Sequence, residues 1–358
     1  IKEYFLLQGG QAMGALFEQL CSQVLDRTDL IEQLKNEKYD VFMAENFDMC
    51  GMGLSYVIKP KSVITVSTTA IFALQYDEIG VPSALSYNPI RRFFTPGRTK
   101  LERLFRRRFG DDFPSMMEIT ANVAYAFHNS EPLIDFATPT LNRVIPIGGL
   151  GAKAPKPLDK EWEEIMSRRS RAVLISFGSV APSTSMPDDY KQSILKVVAS
   201  FPDVNFIWKY EDLQDEFATK EASKLENLIL SDWMPQNNLL NHENVSAFIT
   251  HGGMGSCMEI AQRGVPGLFV PVFGDQPRNA LMMEHAGFGK AISKFDIPNA
   301  EFVISNLKEI LENKKYREAA KDVSRRIAKK PYTSRELLVK YTEFAAEFGP
   351  SRSLRPMS

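Results

Sequence analysis

The chain has 358 residues, 44% of them hydrophobic and 24% charged, with a formal net charge of −1. That is the composition of a soluble globular protein long enough for two domains, and so even a balance sets up no global field for nucleic acid or membrane. No stretch reaches the apolar length of a membrane helix or has the form of a signal peptide, and a first residue that is Ile1 rather than Met predicts a start inside a longer product. The cysteines Cys21, Cys50 and Cys257 and the histidines His128, His242, His251 and His285 fall in no metal-ligand pattern, and the odd cysteine count argues against a disulfide framework.

Helical periodicity runs from Glu3 to Leu25, with Leu16, Leu20 and Val24 on one side, and again from Asp29 to Asn36. Asp40–Ala44 and Val63–Val66 read as short strands. Each leaves polar residues at its carboxyl end, Glu45-Asn46-Phe47-Asp48 after the first and Ser67-Thr68-Thr69 after the second, and in an open parallel sheet that end is where ligands bind. Two strands before Leu150 are few for a doubly wound sheet, so this first domain reads as incomplete. Residues 91–109, RRFFTPGRTKLERLFRRRF, form a cationic helix whose Leu101, Leu104, Phe105 and Phe109 make a narrow apolar stripe. Such a stripe suits packing on its own domain and also contact with an anionic membrane surface. No nucleic-acid motif accompanies the charges. Ile145–Pro157, rich in Pro and Gly, reads as a linker, and a charged helix from Asp159 to Arg171 follows it.

Beyond the linker the strand Ala172–Ser176 runs into Phe177-Gly178-Ser179-Val180, and helix Tyr190–Ser200 and strands Asn205–Lys209 and Leu228–Leu230 continue the alternation. Trp233–Ala280 then holds two successive strand-loop-helix units. Val245–Thr250 has the composition of a buried parallel strand, His251-Gly252-Gly253 breaks it, Met254–Arg263 favours helix, and Gly264-Val265-Pro266 stops that helix before the strand Leu268–Val272. A strand that ends in glycines and turns into a helix aims free backbone N–H groups and the positive end of the helix dipole at one spot, which is an anion site. Ser256 and Glu259 share the helix face behind the glycines. Ser256 can bond one phosphate oxygen, His251 can donate to another, and the Glu259 carboxylate can accept both hydroxyls of a cis-diol such as ribose. Trp233 offers a flat ring to a base. Asp275-Gln276 suits the hydroxyls of a sugar, and Asp275 also fits as the N-cap ahead of Pro277. Singly, Trp233 reads equally well as a core aromatic, His251 as a cap and Glu259 as a solvated carboxylate; their joint spacing favours the ligand reading. Helices over 299–313, 316–329 and 334–348 close the chain.

Trp233, Pro235, Gln236, the Thr-His-Gly-Gly loop ending at Gly253, Ser256, Glu259 and Asp275-Gln276 together resemble the signature segment of the UDP-glycosyltransferases, the family that includes the animal UDP-glucuronosyltransferases. The resemblance implies an α/β protein of two Rossmann-like domains facing a cleft, the GT-B architecture. Residues 1–150 would be a partial, incomplete acceptor-binding domain, 151–330 a UDP-sugar-binding domain, and 331–358 a C-terminal helix packing back on the first. It also implies that Trp233 stacks on uracil, Gln236 bonds the uracil or ribose, His251 and Ser256 hold the diphosphate with Ser179 beside it, Glu259 takes the ribose, and Asp275 and Gln276 take the transferred sugar. Where the family usually has Asn before that serine stands Gly255, which offers only its backbone.

The first half matches more loosely, through Tyr39-Asp40-Val41 and Val81-Pro82-Ser83. There the family uses a histidine base oriented by an acid. Glu45 takes the acid's place with Asp48 as competitor, and since no histidine precedes it the base is expected upstream of Ile1. The implied reaction is inverting transfer of a hexosyl group, glucuronosyl from UDP-glucuronate or glucosyl from UDP-glucose, to a hydroxyl of a small lipophilic acceptor, with no metal and no cofactor. Family members often add a membrane helix and a cytosolic tail, which would place this segment in the lumen of the endoplasmic reticulum; a homo-oligomer is compatible. Two alternatives stand beside this reading, a non-catalytic UDP-sugar-binding or regulatory homologue and a sugar-nucleotide epimerase of the same architecture.

Overall fold

A computed structural model describes residues 2–47, 49–69, 91–152 and 154–354, with the backbone alone for 2–13, 91–97 and 352. Asp48 and Val81-Pro82-Ser83 lie outside the described residues. The chain divides into two compact units, one of Ile1–Ser130, Ala137–Gly148 and Tyr332–Ser358, the other of Glu131–Phe136 and Gly149–Pro331.

In the first unit α1 (Lys2–Leu25) and α2 (Thr28–Asn36) precede β1 (Val41–Glu45), α3 (Cys50–Ile58), β2 (Ser62–Ser67), α4 (Arg91–Phe109), α5 (Met116–Ala121), β3 (Tyr125–His128) and β4 (Val144–Pro146). The four strands pair in parallel in the order β1-β2-β3-β4. β3 and β4 are not apparent in the sequence, because runs of four and three residues carry no measurable alternation. Ile145 and Pro146, the start of the expected linker, are therefore strand, in register with Phe127 and His128.

Three further findings concern this unit, and the last corrects an expectation. Most of the apolar stripe of α4 faces inward, as packing on its own domain requires: Leu101 is 1% and Phe105 0% exposed, in a core with Met52, Phe113 and Met116, and Leu104 packs against it, while Phe109 is 36% exposed. Burying side chains of that size stabilises by about 1.5–3 kcal/mol each, so the unit's own core holds most of the stripe. On α1 the inward residues are Cys21 and Leu25, while Leu16, Leu20 and Val24 are exposed. Finally, Cys21 and Cys50 are joined in a disulfide across 29 residues, with Cα atoms 5.7 Å apart, and the odd cysteine is the buried Cys257. Counting misleads here because one thiol of the three sits in another unit's core.

The second unit holds α6 (Lys160–Ser167), β5 (Arg171–Ser176), α7 (Asp188–Ala199), β6 (Val204–Lys209), β7 (Leu228–Ser231), α8 (Gln236–Leu239), β8 (Val245–Thr250), α9 (Met254–Arg263), β9 (Gly267–Phe269), α10 (Gln276–His285), β10 (Gly289–Ala291), α11 (Ala300–Glu312) and α12 (Lys314–Ala328). Its six parallel strands run in the order β10-β9-β8-β5-β6-β7. Central strands covered on both faces read as continuous apolar runs, and Val173, Leu174, Ile175 and Ala247, Phe248, Ile249 are all buried. From β5 the chain lays down β6 and β7 on one side and then returns to place β8 on the other. That reversal between β5 and β8 is a topological switch point, where the carboxyl ends of an open parallel sheet form a ligand crevice.

The last helix, α13 (Ser334–Phe348), belongs to the first unit, where Leu337, Leu338, Tyr341 and Ala345 pack with Ile64, Tyr125 and Phe127. Thr333 caps it in a reciprocal pair with Glu336.

Candidate functional site

The switch point brings two glycine loops together. Ser176 of β5 is in register with Thr250 of β8, so Gly178-Ser179 and His251-Gly252-Gly253 leave the sheet side by side. His251 is wedged between them. A Cβ on Gly178 would lie 2.8 Å from its imidazole, and one on Gly253 2.6 Å from its Nε2, so no larger residue fits at either position without moving the ring. Gly178 and Gly252 also hold φ of +86° and +78°, a region that favours glycine. Burial pushes the His251 pKa down against the opposing pull of the Ser176 backbone and of Asp275.

From Gly253, the N-cap of α9, the helix carries Ser256 and Glu259 to a shared partner. Gln236 Nε2, at the start of α8, lies 3.1 Å from Ser256 Oγ and donates to Glu259 Oε2 at 2.6 Å. The residues predicted to meet phosphate, ribose and base thus form one bonded cluster. Burial raises the Glu259 pKa, with Gln236 and Arg263 opposing. Trp233, three residues before Gln236, is 74% exposed, as a stacking platform requires and a core aromatic does not. Ser179 is exposed at the tip of its loop. Gly255 has open space where a Cβ would stand, so the first turn of α9 has room for the side chain that the resemblance expects.

Past β9, Asp275 occupies the N-cap position of α10, yet its carboxylate makes no capping bond. It accepts instead from Asn279 Nδ2 at 2.6 Å. Burial raises the Asp275 pKa, while Asn279, its own backbone, His251 and Arg278 draw it down. Gln276 is buried and its Oε1 accepts from the backbone N–H groups of Val272 and Phe273, at 2.8 and 3.0 Å. Those two donors fix the amide orientation and turn its NH₂ group the other way.

Sequence reasoning missed Lys209. At the carboxyl end of β6, beside β5, its Nζ donates to the Gly178 carbonyl at 3.2 Å and to Glu211 at 2.9 Å. A cation thus stands against the Gly178-Ser179 loop, and only the strand order could have found it. In the first unit, Glu45 at the end of β1 accepts from the Thr68 backbone N–H at 3.1 Å. Among the described residues no helix is long and apolar enough to cross a membrane, and no three His, Cys, Asp or Glu side chains are placed to share a metal ion.

Comparison with known proteins gives these residues a context. Residues 110–358 match the family model described as UDP-glucoronosyl and UDP-glucosyl transferase. The chain is 31% identical over 366 residues to UDP-glucuronosyltransferase 3A1 of Bos taurus and 29% identical over 363 residues to UDP-glucuronosyltransferase 3A2 of Homo sapiens, covering 94% of itself and 68% of each. Among solved structures it is similar to the spinosyn rhamnosyltransferase SpnG, with a TM-score of 0.66 at 15% identity over 94% of this chain and 81% of that one. The glycotransferase of kitacinnamycin gives 0.65 at 18% identity over 92% and 82%. At such identities the likeness is one of fold, the GT-B fold of two α/β domains with parallel sheets. With a family model over more than half its length and a relative above 30% identity, the chain belongs to the UDP-glucoronosyl and UDP-glucosyl transferase family and is a glycosyltransferase that draws on a UDP-sugar.

Proposed function

We propose that the protein transfers a glucosyl or glucuronosyl group from its UDP-sugar to a hydroxyl of a small lipophilic acceptor, by direct displacement that inverts the anomeric carbon. Trp233 stacks on uracil, Gln236 and Glu259 take the ribose, and His251, Ser256, Ser179 and the backbone of Gly253 and Gly255 hold the diphosphate. Asp275 and Gln276 hold the sugar, one accepting and one donating. Backbone N–H groups at the start of α9 and the Lys209 ammonium, preorganised near the diphosphate, stabilise the charge that develops on the departing UDP. In the first unit Glu45 orients the base that takes the acceptor's proton. The observation that carries this reading is the bonded cluster of Gln236, Ser256 and Glu259 beside the His251 loop, since an acceptor pair for ribose and a donor loop for phosphate lie one helical turn apart.

The Cys21–Cys50 bond supports a place in an oxidising compartment, where disulfides persist.

Titration calorimetry with UDP, ADP and GDP tests the donor assignment. Binding selective for UDP, and lost in Trp233→Ala, is expected; equal binding of the three nucleotides, or none to folded protein, refutes it. The anomeric configuration of the product, read by NMR, decides between inversion and retention.

A further inference from the structure

Asn279 has no exposed surface and sits one turn into α10. Its Nδ2 donates to two acceptors at once, the Asp275 carboxylate at 2.6 Å and the Gly252 carbonyl at 3.1 Å. The Gly252 carbonyl can only accept, so the amide cannot be turned over. Its Oδ1 is buried and, among the described residues, has no partner. A buried acceptor left unmet is costly, which marks this amide as held for what its nitrogen does. The two acceptors belong to different loops. Gly252 lies in the loop after β8 and packs on the first turn of α10, where a Cβ would meet the Gln276 carbonyl at 3.5 Å.

We propose that Asn279 is a positioning residue for transfer, setting the span between the diphosphate-binding loop and the sugar-binding carboxylate through one nitrogen bonded to both. This rests on reading Asp275 as the sugar's contact. A donor whose diphosphate and sugar are joined by one anomeric bond can use both sites only if their separation is fixed before it arrives, and pre-organisation of that kind appears as affinity. UDP alone does not reach Asp275 and gains nothing from it. The same bond also helps to keep the carboxylate charged against burial, together with His251 from the β8 loop and Arg278 on α10; the thiol of Cys257 on α9 is the other titratable group that senses Asp275.

The test measures affinities for UDP and UDP-glucose by calorimetry for Asn279→Ala, Asn279→Asp, Asp275→Ala and the double alanine variant. Asn279→Ala is expected to weaken UDP-glucose about tenfold, the loss of one hydrogen bond to a charged group, and UDP by less than about threefold. In the double variant the loss is expected to match Asp275→Ala alone, because coupled residues are not additive. Asn279→Asp keeps the size and sets a second carboxyl against Asp275. Such a pair shares one proton with a raised pKa, so UDP-glucose binding is retained at low pH and falls as pH rises, a slope that wild type lacks. This variant decides the matter should Asn279→Ala not fold. Equal losses for UDP and UDP-glucose, additive losses in the double variant, or no new pH dependence in Asn279→Asp overturns the proposal. If Asp275→Ala leaves UDP-glucose affinity unchanged relative to UDP, the sugar reading of Asp275 has failed, and that outcome is separate.

Discussion

Replacing Glu259 by alanine is expected to weaken UDP binding about ten- to hundredfold. The carboxylate is half-buried on α9, its Oε2 held 2.6 Å from Gln236 Nε2. A hydrogen bond to a charged group contributes about 1.5–3 kcal/mol, and tenfold in affinity is about 1.4 kcal/mol. One ribose hydroxyl accounts for the lower figure; the upper allows for the second, discounted because water reaches the carboxylate in the free protein. Calorimetric titration with UDP and with 2′,3′-dideoxy-UDP separates ribose contact from general damage. The variant is expected to bind the two alike, as wild type binds dideoxy-UDP. If Glu259→Ala loses as much for dideoxy-UDP as for UDP, the carboxylate does not act through the ribose and the reasoning is refuted. Glu259→Gln adds an independent check. Because burial raises this carboxyl's pKa in the fold, the folded state binds its proton more tightly than the unfolded chain. The contribution to stability is then fullest in acid and is lost as pH rises through the raised pKa. Glu259→Gln is therefore expected to melt higher than wild type at neutral pH, and the difference to vanish near about pH 4, the ordinary carboxylate range.

Gly255→Asn is expected to fold with unchanged or slightly raised Tm, since its Cβ enters open space and asparagine is the better helix former by a few tenths of a kcal/mol; tighter UDP-sugar binding should accompany it, and a lower Tm refutes the open-space reading. Gly178→Ala combines a φ of +86° with a Cβ 2.8 Å from the His251 ring, whereas Gly274→Ala meets a φ of +65° and no neighbour. Backbone strain of this sort costs about 1–3 kcal/mol, so thermal unfolding is expected to show a loss for both but calorimetry a loss of UDP binding for Gly178→Ala alone; identical behaviour argues against the wedge. Cys21→Ser removes a cross-link between residues 29 apart and is expected to cost the first unit about 3–4 kcal/mol, read as a shift in its denaturant midpoint that reductant reproduces in wild type.

What could be read from the sequence was what is local. Ser256 and Glu259 lie three residues apart on α9, so helical spacing alone aligns them behind the His251 loop, and the strands β5 and β8 announce themselves because burial on both faces makes them mostly apolar. What escaped depends on distant pairing. Lys209 reaches Gly178 only because β6 lies beside β5, and Asn279 joins Gly252 across 27 residues. Cys50 meets Cys21 only because α3 carries it there, across 29 residues. Amphipathic periodicity predicted α1 but not its inward face. Leu16, Leu20 and Val24 share a side as well as Cys21 and Leu25 do, and tertiary packing chose the latter.

The interleaving of the units bears on how the protein is made. The second unit is almost continuous in sequence, residues 149–331 with six earlier ones, whereas the first takes α13 from beyond residue 332. A ribosome delivers chain from the amino end at about 5–20 residues per second, so during synthesis the sheet of the first unit waits, with Ile64, Tyr125 and Phe127 uncovered, until after the second has been completed. Those apolar side chains are what a chaperone would meet on the nascent chain until α13 emerges to pack on them.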